Sequence, residues 1–411
     1  MAAKIDRNED ESITVSVTFQ PGDSMLESEL NLQAALNEAG SAATGECLTR
    51  FDSDGGKMVI GGRKMTSKGR IEKTFQTPYG EARVARHVYQ GSAGGAIYCP
   101  MEYAARIMRT STPLFAKQMS FKYANANAGT VVADFAQHGR KVARSYVGEV
   151  SADVASVCAE KEGNWNYEVP RAPAGERVKS VGIGVDGTCA LFAGDSWRQV
   201  MVGTVSFYDE SGERIATTYI ANTPAYPRAR YAGIADGAHD LWSWLEPHCT
   251  WRIVDFWHAS EYLAGAAPGM MRGAVAQAAW LEEACHRLKN KKGAAGDLLD
   301  EFEAARDRLG DNSRAAKALD KAISYFGNHL ERMDYWLYKT MGLPIGSGVT
   351  EAACKSVVKE RLCGSGMKWS KTGAAEVLSL RTLVKSKGRW EEFWNKTARF
   401  GFSKITTPKR G

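Results

Sequence analysis

KSVGIGVDGTCALF, residues 179–192, is an apolar run rich in β-branched and small residues, and two further runs follow it at Gln199–Tyr208 and Ile215–Ala221. Turn-forming stretches such as Asp209–Glu210–Ser211–Gly212 separate them, so the three predict consecutive antiparallel strands. Two shorter strand-like runs come next, Tyr231–Ala235 and Trp251–Val254, with a helical patch at Trp242–Leu245 between them. Strands that give way to alternating strands and helices predict a mixed α/β sheet.

Three of these runs lead into an aspartate. Asp186 follows Val181–Val185, Asp236 follows Tyr231–Ala235 and Asp255 follows Trp251–Val254, so each strand is expected to end in an acid. One such aspartate is ordinarily a turn or helix-cap residue. Three together carry more, because neighbouring strands of an α/β sheet deliver their carboxyl ends to one crevice, where paired acids suit hard cations of the Mg2+ type.

From Glu261 to Met341 the pattern is helical. Ala276/Trp280/Ala284/Leu288, Leu298/Phe302/Ala305/Leu309 and Ala315/Leu319/Ala322/Phe326/Leu330/Met333/Leu337 keep the spacing of buried stripes, so this stretch reads as an inserted bundle. Behind it stands GLPIGSGVTE, residues 342–351, whose Pro and Gly residues end one element. Ser347 or Thr350 can cap a new helix bearing Glu351. Glu351, Lys355 and Lys359 then fall at i, i+4 and i+8, one face of that helix, which is either a solvated ion-pair ladder or a carboxylate flanked by phosphate-holding lysines. Residues 346–411 hold 14 Lys and Arg against 5 Glu, a local +9, leaving −3 for the rest of a chain whose total is +6. Positive charge gathered beside acids makes a polyanion, nucleic acid, the leading partner class, with Lys355, Lys359, Arg361 and Lys368 as its candidate contacts.

Upstream, residues 13–100 read as β-rich with one helical patch near Ser24–Ala43, and from Ser111 to Glu162 the period is helical. TVVADFAQH, residues 130–138, then Gly139 and a second helical run from Val142 make helix, turn, helix. This fits a DNA-binding helix-turn-helix with Arg140, Lys141 and Arg144 near the start of its second helix, and equally an ordinary αα-hairpin. Pro170, Pro173 and Gly175 mark a linker.

With 411 residues and 44% hydrophobic content the chain is expected to be globular with more than one domain, and no stretch is apolar enough to span a membrane. The charged start MAAKIDRNEDESITV has no apolar signal core, so a cytoplasmic protein is expected. Eight scattered cysteines without a CxxC pair argue against a disulfide framework or zinc ribbon, and are expected to be reduced packing residues.

VGIGVDGT (181–188), GIADGAHDLW (233–242), VDFWHASEYL (254–263), GLPIGSGVTEAACK (342–355) and GMKWS (366–370), in that order, resemble the DDE-type transposases of bacterial insertion sequences, closest to the ISKra group and its Mutator-like relatives. The resemblance covers Lys179 to Trp394, about half the chain. It implies an RNase H-like mixed sheet interrupted by an all-helical insertion and preceded by a β-rich N-terminal region and a helical DNA-binding region. The expected limits are 1–110, 111–178 with the linker, 179–263 and 342–400 for the catalytic core, 264–341 for the insertion and 401–411 for a basic tail. It implies a catalytic, metal-holding triad of Asp186, Asp236 and Glu351, two Mg2+ ions for which Mn2+ can substitute, and a supporting (C/D)xxH element at Asp255 and His258. The implied activity is cleavage and joining of DNA strands at terminal inverted repeats and target DNA, by a homodimer or larger assembly associated with the bacterial nucleoid.

The sequence departs from that family at residues 223–230, where only Thr223 to Arg230 separate the third and fourth strand-like runs although a parallel crossover needs about a dozen residues. Relatives also carry an N-terminal Cys pair, and here Cys99 stands alone. The short crossover motivates an alternative, a transposase-derived DNA-binding protein without catalysis. A third reading is a structure-selective nuclease of the RNase H superfamily.

Overall fold

The computed structural model describes residues 4–162, 178–194, 196–219, 230–237, 249–310 and 313–402, together with Trp242, Ser243, Leu245 and Pro247. The chain divides into two compact units, one of residues 1–165, 371–384 and 389–411, the other of 166–370 and 385–388.

In the first unit, β1 (Lys4–Arg7) and β2 (Ile13–Ser16) pair antiparallel, the helix Met25–Thr49 follows, and β3 (Met58–Ile60), β4 (Arg63–Gln76), β5 (Glu81–Gly91) and β6 (Gly94–Tyr98) form an antiparallel sheet in chain order. Strict alternation in β5 decides which face is inside: Ala82, Val84, Arg86 and Val88 are buried while Glu81, Arg83 and Ala85 face water. Helices Pro113–Asn125, Ala128–Gln137 and Arg144–Glu162 complete the region. The C-terminal helices Lys371–Lys385 and Arg389–Phe400 also belong here, apart from the core with which the motifs had grouped them. Their side chains explain why. Arg381 is buried and donates to the Ala124 carbonyl at 3.1 Å, and Trp390 packs on Phe121 with ring centroids 5.9 Å apart.

The second unit is a mixed α/β fold. Its five-stranded sheet has the order β11-β10-β7-β8-β9, formed by β7 (Ser180–Leu191), β8 (Trp197–Tyr208), β9 (Arg214–Thr218), β10 (Arg230–Ala235) and β11 (Trp251–Val254). The three runs that read as antiparallel are so, and β10 and β11 then lie parallel to β7 on its other side. One expectation changes here: β7 does not end at Asp186. Its parallel pairing with β10 stops at Gly184, but antiparallel pairing with β8 carries it on through Asp186 to Leu191. The crossover expected at 223–230 falls almost wholly outside the described residues, which resume at Arg230.

The helices Phe256–Met270, Ala274–Asn290, Ala294–Arg306 and Arg314–His329 bury most of the stripes read from the sequence, although Ala276 is exposed. Trp280, Ala284, Leu288, Leu298, Phe302, Leu319 and Phe326 join one continuous core with Val181, Ile183, Ile234 and Ile253 of the sheet. The bundle and the sheet therefore stabilise each other as one hydrophobic body. The stripe fails at Leu330, which is exposed where a short 3-10 turn, Leu330–Arg332, interrupts the helix. Among the described residues no helix is long and apolar enough to cross a membrane. All eight cysteines are unpaired thiols, and Cys47, Cys189 and Cys363 are exposed, not buried packing residues.

Candidate active site at the carboxyl edge of the sheet

The parallel register gathers the acids. Ile234 pairs with Gly184 and Ala235 with Val254, so extending the ladder by one or two residues brings Asp236 alongside both Asp186 and Asp255. The Asp255 N–H donates to the Ala235 carbonyl at 2.9 Å, fixing the two strand ends together. Asp186 is half-buried, Asp236 is exposed and Asp255 is buried.

Glu351 reaches this edge because β7 contains glycines. A Cβ on Gly182 would lie 3.0 Å from Pro344, and one on Gly184 only 2.0 Å from the Thr350 hydroxyl, so segment 344–350 can lie directly on the strand only where side chains are absent. Thr350 is buried, its hydroxyl 2.7 Å from that of Thr204 on β8. Two motifs remote in sequence, VGIGVDG and LPIGSGVTE, are thus complementary surfaces.

The helix that carries Glu351 is irregular. Gly348–Ala353 is α-helical, Cys354–Lys359 forms a π-helical turn and Glu360–Leu362 returns to α. Bonds running i to i+5 widen the turn, so Glu351, Lys355 and Lys359 do not share the regular i, i+4 face expected of them. Instead the widened turn buries Cys354, Val357 and Val358 against the sheet. The Cys354 thiol donates to Asp186 Oδ2 at 3.4 Å. Burial first, and then the Asp186 and Glu351 carboxylates beside it, push that thiol up to about 12, keeping it neutral between two acids.

A second link joins Glu351 to Asp255. The Ser347 hydroxyl lies 3.2 Å from Glu351 Oε1 and also donates to Asp255 Oδ2. A hydroxyl has a single proton, so it serves the two carboxylates in turn. Ser347 holds the helix-cap position expected of it, but its side chain makes no capping bond and is turned to these acids. Asp255 does cap a helix: its Oδ1 accepts from the Trp257 N–H at 2.8 Å, opening Phe256–Met270. His258 stands one turn on, half-buried, with Nδ1 3.2 Å from the Glu261 carboxylate and its ring edge-on to Tyr262 and Tyr325.

Tyr325, from the inserted bundle, had no signal in the sequence beyond its place in a helical stretch. Its hydroxyl donates to the Asp236 carbonyl at 2.8 Å and its ring stacks on Tyr262 at 3.8 Å. Burial, reinforced by Tyr262 and by the Asp236 and Asp255 carboxylates, holds its phenol far above the ordinary range. The bundle thereby props the loop after β10. Of the tryptophans, Trp242 is buried under the Arg332 guanidinium and Trp251 meets Tyr338 edge-on, while Trp257 is 61% exposed beside Gly346. Trp244 lies outside the described residues.

The donor set suits a hard cation, since Asp186, Asp236 and Glu351 offer carboxylate oxygens from three elements. In placement they do not close on one point: among the described residues no group of three or more His, Cys, Asp or Glu side chains stands close enough to hold a metal.

The expected DNA contacts divide. Lys355 and Lys359 are exposed on the helix that carries Glu351, Lys368 is exposed beside Trp369, which pairs with the far end of β7 at Leu191 and Phe192, and Lys141 and Arg144 are exposed in the first unit. Arg361 is buried with its guanidinium 4.9 Å over the Trp369 ring, so it braces the GMKWS loop and does not face a phosphate. Arg140 is likewise interior, donating to the Thr77 carbonyl at 3.1 Å and to Gln76 Oε1 at 2.9 Å above the Phe115 ring. It and Lys141 lie in the connection between Ala128–Gln137 and Arg144–Glu162, ahead of the second helix. Comparison of the chain with family models and with curated proteins finds no match.

Proposed function

We propose that the chain is an insertion-sequence transposase of the DDE type, with an RNase H-like core that cleaves and joins DNA strands through Asp186, Asp236 and Glu351. The observation that supports this reading most directly is the meeting of three separate sequence elements at one sheet edge. Asp186 and Asp236 come from adjacent parallel strands, and Glu351 comes from a helix seated on the glycines of β7. The sheet order, an antiparallel meander extended by two parallel strands, agrees with an RNase H-like core.

In this reading Asp186, Asp236 and Glu351 would hold Mg2+, with Mn2+ able to substitute. Such ions, when bound, stabilise the attacking and leaving oxygens of a displacement at phosphorus. The protein's own groups supply the remainder. The neutral Cys354 thiol donates to Asp186, Ser347 and Asp255 fix the helix start, and Tyr325 holds the Asp236 backbone. Lys355, Lys359 and Lys368 would hold phosphates without competing for the metal. A pair of DNA ends requires at least a homodimer on DNA.

A non-catalytic, transposase-derived DNA-binding protein is the second reading, favoured by the protein partners that Asp186 and Glu351 already have in Cys354 and Ser347. Product analysis on a labelled terminal-repeat duplex decides among the readings. Joined strands that vanish in Asp186→Asn and Glu351→Gln, with a loss of about a thousandfold or more, are expected of the transposase. Hydrolysed ends alone indicate a nuclease, and strand joining retained by either variant removes the catalytic assignment.

A further inference from the structure

A long run of cations uninterrupted by any acid lies in the first unit. Residues 57–71, KMVIGGRKMTSKGRI, contain Lys57, Arg63, Lys64, Lys68 and Arg70 and no acid. They form β3, the turn Gly61–Gly62 and the first half of β4. Both glycines have positive φ, 55° and 77°, the left-handed geometry that closes a two-residue hairpin. Arg70 is engaged by the Ala85 carbonyl at 2.8 Å and by Asp52 at 3.8 Å. Lys57, Arg63, Lys64 and Lys68 are exposed and form no ion pair with any described residue.

Cations on an edge strand commonly guard it against pairing with another chain. That function does not account for this run, because the opposite edge of the same sheet, β6, is Gly-Gly-Ala-Ile-Tyr and carries no charge, with Ile97 53% exposed. The charge also lies on both sides of the ribbon. Arg63 pairs with Ile60 and Lys64 with Val59, so alternation points the two cations to opposite faces. Past Lys64, the register shifts between Ser67 and Arg70, where a bulge carries Lys68 and Gly69.

We propose that the β3–β4 ribbon is a duplex-DNA-binding arm that enters the major groove and meets the phosphates of both walls through Lys57, Arg63, Lys64 and Lys68. A two-stranded ribbon fits the B-form major groove, about 12 Å wide, and cations on both faces match its two phosphate walls. An acidic protein surface would engage one face only. The major groove of A-form RNA is too deep and narrow for a ribbon. The inference rests on the DNA-binding reading given above and adds a contact surface separate from the carboxylates and from the helix-turn-helix region.

The test is the salt dependence of binding of the full chain to a fluorescein-labelled DNA duplex of arbitrary sequence, between about 50 and 200 mM KCl. Wild type is compared with the fourfold variant Lys57→Gln, Arg63→Gln, Lys64→Gln, Lys68→Gln. Each phosphate contact contributes about 0.9 to the slope of log K against log salt, so the variant slope is expected to be shallower by about 3 to 4. Acetylation of lysines on the wild-type protein gives a readout independent of the variant's folding. Duplex DNA is expected to protect Lys57, Lys64 and Lys68. A wild type that binds DNA while the variant keeps its slope and the three lysines stay reactive overturns the arm and spares the DNA-binding reading. A wild type that does not bind duplex DNA overturns both. Equal protection by duplex RNA overturns the groove assignment.

Discussion

Asp255 joins two functions in one carboxylate. Oδ1 caps the helix Phe256–Met270 through the Trp257 N–H and Oδ2 accepts the Ser347 proton, in a buried position. Removing it leaves an uncapped helix and a hydroxyl free to turn wholly to Glu351. Asp255→Ala is expected to lower stability by about 1–3 kcal/mol, with Asp255→Asn milder because an amide oxygen still caps. Urea unfolding of the two variants checks this, and equal midpoints for Ala and wild type would contradict it. The residue type at this position was legible in the sequence as a cap or a site acid. That it is both was not, since only the fold brings Ser347, ninety-two positions away, to its second oxygen.

At the scale of elements, the contact between β7 and the segment after Leu343 decides whether Glu351 reaches the acids. The Gly184 position leaves no room: an added methyl would lie 2.0 Å from Thr350 Oγ1 and 3.0 Å from Thr204 Oγ1. Gly184→Ala is therefore expected to cost about 1–3 kcal/mol by overpacking and to move Gly348–Ala353 off the strand. Strand joining should fall well beyond what the loss of folded protein explains. Stability lowered with activity per folded molecule intact would contradict the role given to this contact. The strands, their antiparallel order and the buried stripes of the bundle were readable because period and composition are local properties of a sequence. The π-helical turn at Cys354–Lys359 was not, because an i, i+4 pattern of Glu351, Lys355 and Lys359 looks regular until packing of Val357 and Val358 widens it. Arg140 and Arg361 misled for a similar reason: a cationic residue reads as surface, and only tertiary contacts reveal a guanidinium laid on Phe115 or Trp369.

At the scale of the whole molecule, the buried Cys158 and half-buried Cys249 thiols make stability depend on alkaline pH. Burial pushes Cys158 in the first unit up to about 12 and Cys249 in the second up to about 11, from an ordinary 9.0. Between pH 9 and those values the unfolded chain loses protons that the folded chain keeps, so stability is full below about 9 and is lost as pH rises toward 11 and 12. A Cys158→Ala, Cys249→Ala protein should show a smaller fall of its urea midpoint between pH 8 and 11 than wild type. Parallel curves would contradict that. The division into units was the least legible feature, because the helices Lys371–Lys385 and Arg389–Phe400 follow the last motif directly yet pack with residues near Phe121 and Ala124.

Asp186, Asp236 and Glu351 are proposed to act as one metal-dependent centre on DNA. The most direct test is strand cleavage and joining on a labelled terminal-repeat duplex, with Mg2+ or Mn2+ and with EDTA, comparing wild type and Asp236→Asn. Joining by wild type that requires the metal and disappears in the variant is the predicted result. Binding without cleavage by wild type, or joining that survives Asp236→Asn, would contradict it.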